Sequence, residues 1–271
     1  MQKKGQVEQQ PIIEAPKIDP RKYIVAGNWK SNGTVSFVRE MINEVLNKMR
    51  FDDKKVEVIV APMIIHIPSA KAMLNSNIQI SAQNICQNGN GPYTGEVSAE
   101  QVKDFGLNWV IVGHSERRQL FNESNEIIAK KVERAQEQGL STIICIGDSL
   151  EERERGETND VIKLQLDAIK DVVKDWSKIV IAYEPVWTIG TGRNISSQVA
   201  EEIHQLIRQW VVQNVNETVA QQTRVIFGGS VNEKNAESFI SQKNIDGFLI
   251  DNASLKMAFG EIVDQVNKAP L

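Results

Sequence analysis

Residues 142–184 read TIICIGDSLEERERGETNDVIKLQLDAIKDVVKDWSKIVIAYE, and their pattern sets the fold class. Thr142–Ile146 is an unbroken β-branched run that closes on Gly147. A polar stretch follows, and then Val161–Trp176 repeats apolar residues at helical spacing. Ile179–Tyr183 is a second unbroken apolar run, with Glu184 directly behind it. Continuous rather than alternating apolar strands suit a parallel sheet buried on both faces. The same beat extends in both directions. Runs at Tyr23–Ala26, Val56–Ala61, Ile78–Ala82 and Trp109–Val112 precede it, and Arg224–Phe227 and Ile245–Ile250 follow. Helical patterns lie between them, among them Val35–Met49, Glu126–Gln138 and Ser196–Asn214. Eight strand-helix units over about 250 residues match a (β/α)8 barrel in size and rhythm. An open doubly wound sheet has the same local rhythm, so periodicity leaves both architectures standing. A chain of 271 residues could hold two domains. No linker-like stretch interrupts residues 21–271, which reads as one domain.

Composition narrows the function classes. A net charge of −4 gives no overall basic field for nucleic acid or an anionic membrane surface. No apolar run approaches the ~18 residues of a membrane span. Two cysteines, Cys86 and Cys145, make neither a disulfide framework nor a zinc cluster, and a reducing, cytoplasmic setting is expected. Residues 1–20 differ from the rest, with Pro11, Pro16 and Pro20, four glutamines, and charges that cancel. They lack the apolar core of a secretory signal and the arginines of a mitochondrial one. A disordered leader is expected there.

In either α/β architecture the chemistry gathers at the carboxyl ends of the strands. Asn28 and Lys30 follow the first run, and Gly113-His114-Ser115-Glu116 follows the fourth. Glu184-Pro185 follows the sixth, Gly228-Gly229-Ser230 the seventh, and Asp251-Asn252 the eighth. A lysine after a strand is by itself an ordinary loop residue, and a carboxylate behind a buried strand is often half of an ion pair. His114 precedes Ser-Glu, a helix-start pattern whose positive end is expected to depress the imidazole pKa. A glycine-rich turn brings backbone N–H groups close to an anion. The stretch from Pro185 to Arg193 contains Gly190 and Gly192 and reads as a lid. His204 is expected on the helix surface and His66 at a rim, neither with metal-like spacing. Together, a carboxylate base, an imidazole, a lysine, an amide, a lid and an anion-binding turn suit proton abstraction beside a carbonyl on a phosphorylated substrate.

Gly27-Asn28-Trp29-Lys30, Gly113–Arg118, Ala182–Trp187, Gly190-Thr191-Gly192, Ser81–Asn84 and Tyr93–Ala99 resemble, in order, segments of the triose-phosphate isomerase family. The resemblance runs from about Arg21 to the C-terminus. It implies a single (β/α)8 barrel and the glycolytic and gluconeogenic interconversion of dihydroxyacetone phosphate and glyceraldehyde 3-phosphate. It further implies Glu184 as base and a neutral His114 as electrophile, a pairing that is the family's own. Lys30 and Asn28 would contact the substrate, and Glu116 would hold Lys30. Gly190, Gly229 and Ser230 would bind phosphate. A homodimer loop, Gln83–Glu96, would bring Thr94 beside the partner's site. No cofactor or metal is implied.

One departure stands out. Where the family carries two phosphate-binding glycines, this chain has Asp251-Asn252. Two like charges about 4 Å apart repel by roughly 4 kcal/mol at an effective dielectric of 20. Either Asp251 opposes the anionic substrate, or it turns outward as a helix cap. Ser31, Asn122, Thr188 and Arg193-Asn194-Ile195 are lesser departures. The alternative they raise is a paralogue with impaired phosphate binding, kept for a structural or interaction role.

Overall fold

The computed structural model describes residues 20–188 and 195–271. The expected leader, apart from Pro20, and Gly190 of the expected lid lie outside the described residues. Eight parallel strands close into a barrel in sequence order: β1 (Tyr23–Asn28), β2 (Val56–Ala61), β3 (Ile78–Ala82), β4 (Trp109–Val112), β5 (Ser141–Asp148), β6 (Ile179–Pro185), β7 (Arg224–Phe227) and β8 (Gly247–Ile250). Closure is made by β1 against β8, with Ile24 beside Gly247 and Gly27 beside Ile250. The closed order decides for the barrel over the open sheet.

The helices pack outside. They are α1 (Val35–Glu40), α2 (Ile67–Met73), α3 (Ala99–Asp104), α4 (Ser115–Leu120), α5 (Asn125–Glu137), α6 (Leu150–Glu154), α7 (Thr158–Lys170), α8 (Ser197–Asn214), α9 (Glu217–Gln222), α10 (Ala236–Ile240) and α11 (Ala258–Lys268). Two separate apolar layers explain the unbroken strands. Ile24, Ala26, Ile59, Trp109, Ile143 and Val180 belong to a cluster inside the barrel. Their strand neighbours Tyr23, Val25, Val58, Val110, Ile144 and Ile181 pack in the layer that includes the helices. Period-2 alternation puts successive residues into opposite layers, so both must be apolar.

Several boundaries differ from the sequence reading. The helix expected over 161–176 begins earlier and ends at Lys170. The one expected over 35–49 changes pitch after Glu40, passing through a wider turn at Met41–Val45 and a tighter one at Leu46–Lys48. β8 starts at Gly247 rather than Ile245. β6 continues through Pro185, so Glu184 stands inside the strand's last turn of pleat rather than behind it.

Candidate active site

β1 delivers Asn28 and Lys30 to the carboxyl end of the barrel. Asn28 is the last strand residue and is buried. Its Oδ1 accepts the Lys30 N–H at 3.1 Å. Lys30 has φ +51°, a left-handed conformation costing a side-chain-bearing residue on the order of 1–3 kcal/mol. The Gln83 side-chain amide, just past β3, donates to the Lys30 carbonyl at 2.9 Å and to that of Ala61 at 2.8 Å. Gln83 therefore fixes the strained backbone that aims the lysine. The resemblance places Gln83 only at the start of the expected homodimer loop, not against Lys30. A polar side chain at the end of a buried strand was the available signal.

β4 and α4 deliver His114. The residue is buried and sits at the N-cap of α4, where Nδ1 accepts the Glu116 N–H at 3.3 Å. When the ring is neutral, that bond places its proton on Nε2, the nitrogen that faces Glu184. Arg118 ties this turn to the barrel by donating to the carbonyls of Gly113 at 2.9 Å and Cys145 at 3.0 Å.

β6 delivers Glu184, 2% exposed. Its carboxylate accepts the Ser115 N–H at 2.9 Å and the Ser115 hydroxyl at 3.2 Å. Oε1 lies 3.0 Å from His114 Nε2. Burial raises the Glu184 pKa, against the lowering effect of His114 and the Ser115 bonds. Two glycines give this carboxylate its room. A Cβ on Gly228 would lie 3.0 Å from Glu184 Cγ, and one on Gly147 would lie 1.9 Å from the Glu184 carbonyl oxygen.

The Lys30 ammonium holds two carboxylates, Glu116 Oε1 and Asp251 Oδ2, each at 2.7 Å. Asp251 turns inward. Its side chain caps no helix, which removes the outward-turned alternative. Its Oδ1 is 3.9 Å from His114 Nε2, and the side chain is 22% exposed. Despite burial, which raises it, the Asp251 pKa is lowered overall by His114 and Lys30. The Lys30 pKa is raised, the carboxylates outweighing burial. The like-charge expectation thus met a site that already supplies Asp251 with a cation.

For His114 the expected direction is reversed. Burial lowers its pKa, but Glu184 and then Asp251 favour the imidazolium, and the balance is pushed up to about 9. The two carboxylates outweigh both burial and the charge of Lys30.

Other expected residues fall as follows. Gly229 and Ser230 stand at the end of β7 on the same rim, with Ser230 exposed. Thr94 is exposed near the tip of the loop after β3. His66 is a buried rim residue 3.2 Å from the Gly33 carbonyl. His204 is buried, not superficial. Its Nδ1 bonds the Ala200 carbonyl at 2.7 Å, and its ring packs against Tyr183 and Phe227. Among the described residues, no group of three or more His, Cys, Asp or Glu side chains is arranged to hold a metal ion. No helix among them is long and apolar enough to cross a membrane.

A family model described as triosephosphate isomerase matches residues 23–266. The chain belongs to the triosephosphate isomerase family. A triosephosphate isomerase of Paracoccidioides lutzii is 44% identical over 90% of this chain and 98% of its own length. The cytosolic triosephosphate isomerase of Oryza sativa subsp. japonica is 44% identical over 90% of this chain and 96% of its own. The chloroplastic one of Arabidopsis thaliana is 47% identical over 90% of this chain and 78% of its own. Membership of this family makes the chain an intramolecular isomerase, and the resemblance of the sequence motifs stands.

Proposed function

We propose that the chain interconverts dihydroxyacetone phosphate and D-glyceraldehyde 3-phosphate through an enediolate, in glycolysis and gluconeogenesis. The observation that carries this reading is the Glu184 carboxylate 3.0 Å from His114 Nε2, on the rim that also presents Lys30. Glu184 leaves Ser115 to take a carbon-bound proton next to the substrate carbonyl. The electron pair moves to the carbonyl oxygen, where Lys30 and the Nε2–H of His114 stabilise the developing charge. The hydroxyl proton passes from the second oxygen to the first by way of His114 Nε2, Glu184 returns its proton to the adjacent carbon, and the second oxygen becomes the carbonyl. Burial of Glu184 supports its role as base, because a raised pKa moves a carboxylate towards the proton affinity this step needs. Asn28 orients Lys30, Glu116 holds its ammonium, and Gly190, Gly229 and Ser230 bind the phosphate. Residues 21–271 form the catalytic domain, with residues 1–20 as a leader to it.

The reaction is tested by following isomerisation of glyceraldehyde 3-phosphate in deuterated water. Turnover with deuterium entering the product at carbon supports the reading. Glu184→Gln is expected to lower kcat by roughly 100- to 10,000-fold. An unimpaired Glu184→Gln protein would remove Glu184 as base.

We further propose a cytoplasmic homodimer. Two buried free thiols suit a reducing compartment. Ile64 and Ile65 after β2 and Tyr93 after β3 expose apolar surface on neighbouring loops, at 44%, 73% and 42%. That surface suits a second copy, with Thr94 reaching the partner's site. Light scattering that gives a monomer mass at micromolar concentration would remove the dimer.

A further inference from the structure

The eighth strand ends one residue before Asp251, and the turn that follows is pinned. Ser254 donates to the Asp251 carbonyl from its N–H at 2.9 Å and from its hydroxyl at 2.6 Å. Because Gly27 pairs with Ile250 across the β1–β8 closure, this turn lies beside the segment that carries Asn28 and Lys30. The carboxylate therefore extends over the barrel mouth. One oxygen is on the Lys30 ammonium, and the other faces His114 Nε2. That second oxygen is buried and has no hydrogen-bond partner, and Nε2, which makes no hydrogen bond either, has Glu184 Oε1 on its other side at 3.0 Å. An enediolate presents the same arrangement, two oxygens on adjacent positions with the charge shared between them. The groups assigned to stabilise the reaction's oxyanion are thus already facing a carboxylate of the protein itself.

We propose that Asp251 is a specificity-determining residue that acts as a tethered occupant of the oxyanion position. Substrate gains Lys30 and His114 only as the Asp251 carboxylate is displaced from them. The proposal rests on the function assigned above and deepens it. Its first consequence is selection against weakly held anions, because any ligand must outcompete a carboxylate held by the chain at high effective concentration. Its second is an effect on substrate binding rather than on the proton transfer, since a displaced carboxylate no longer faces the reacting atoms. Removing the competing carboxylate frees the Lys30 ammonium and His114 for the ligand, so affinity for anions rises when the Asp251 charge is lost.

The test uses the full chain with Asp251→Asn, which keeps the shape and removes the charge, and Asp251→Gly, which removes the side chain. The binding probe is phosphoglycolate, a phosphorylated two-carbon carboxylate, titrated by calorimetry. Both variants are expected to bind it about tenfold or more tightly than the native chain, and KM for glyceraldehyde 3-phosphate is expected to fall with it. Thermal melting confirms that each variant is folded. Native turnover with unchanged phosphoglycolate affinity and KM in both folded variants overturns the proposal and leaves the assigned reaction intact. Tighter binding by both variants without turnover in any of the three proteins supports the occupant and overturns the assigned reaction.

Discussion

Gly147 and Glu184 are paired across β5 and β6 at backbone distance: a Cβ at Gly147 would fall 1.9 Å from the Glu184 carbonyl oxygen. Because the obstacle is backbone, a side chain there cannot be absorbed by rotating a neighbour. Gly147→Ala is expected to cost roughly 1–3 kcal/mol, as overpacked cores do, and to displace the base. The melting temperature and kcat should fall together. A variant that melts and turns over like the native chain would show that the two strands part freely.

Glu184 carries a different stability signature. Its pKa is raised, so the fold disfavours the ionised form relative to water. Removing the charge with Glu184→Gln is expected to abolish most turnover while holding or raising the melting temperature at pH 8. A clear fall in melting temperature would mean that the charge stabilises the fold.

The imidazole gives stability the same sign of pH dependence. His114 is buried, and its pKa stands at about 9 against about 6.5 for an unfolded histidine. The fold therefore binds this proton more tightly than the unfolded chain does. The resulting stability is complete below about pH 6.5 and is lost as pH rises through 9, to the extent of about 3 kcal/mol. Glu184, Asp251 and Glu116 face the ring, and Lys30 opposes them. Melting should drop between pH 6.5 and 9.5, and His114→Asn should flatten that slope. Imidazole resonances that titrate below 6.5 would contradict it.

Away from the chemistry, Lys131 and Glu123 form a buried ion pair, at 3% and 7% exposure. Glu123 also holds Arg117 of α4, and Lys131 reaches Asn84 at 2.8 Å. Lys131→Met leaves Glu123 with Arg117 alone. Breaking such a pair costs about 3–5 kcal/mol, so chemical denaturation should shift by that amount. A loss under 1 kcal/mol would show that Arg117 suffices.

The strands were legible because both of their faces are buried, which leaves a continuous apolar run in the sequence. The carboxyl-end positions of Lys30, His114 and Glu184 were legible because strand ends are where such architectures place chemistry. His204 was misplaced because the surface that covers it, Tyr183 and Phe227, comes from β6 and β7 and not from its own helix. The direction of Asp251 was not legible either, since it is decided by Lys30, far away in sequence. The His114 pKa followed the same logic: the local helix start was visible, whereas the two opposing carboxylates arrive from β6 and from beyond β8.

The seam between β1 and β8 has a consequence for synthesis. A ribosome makes Lys30 long before Asp251, and Ile24 finds Gly247 only once β8 has emerged. A nascent chain short of that strand has an open β1 edge and a Lys30 with neither Asp251 nor a closed wall beside it. A product cut before residue 247 would therefore carry an open barrel with an unpaired β1 edge, a surface prone to pairing with another chain.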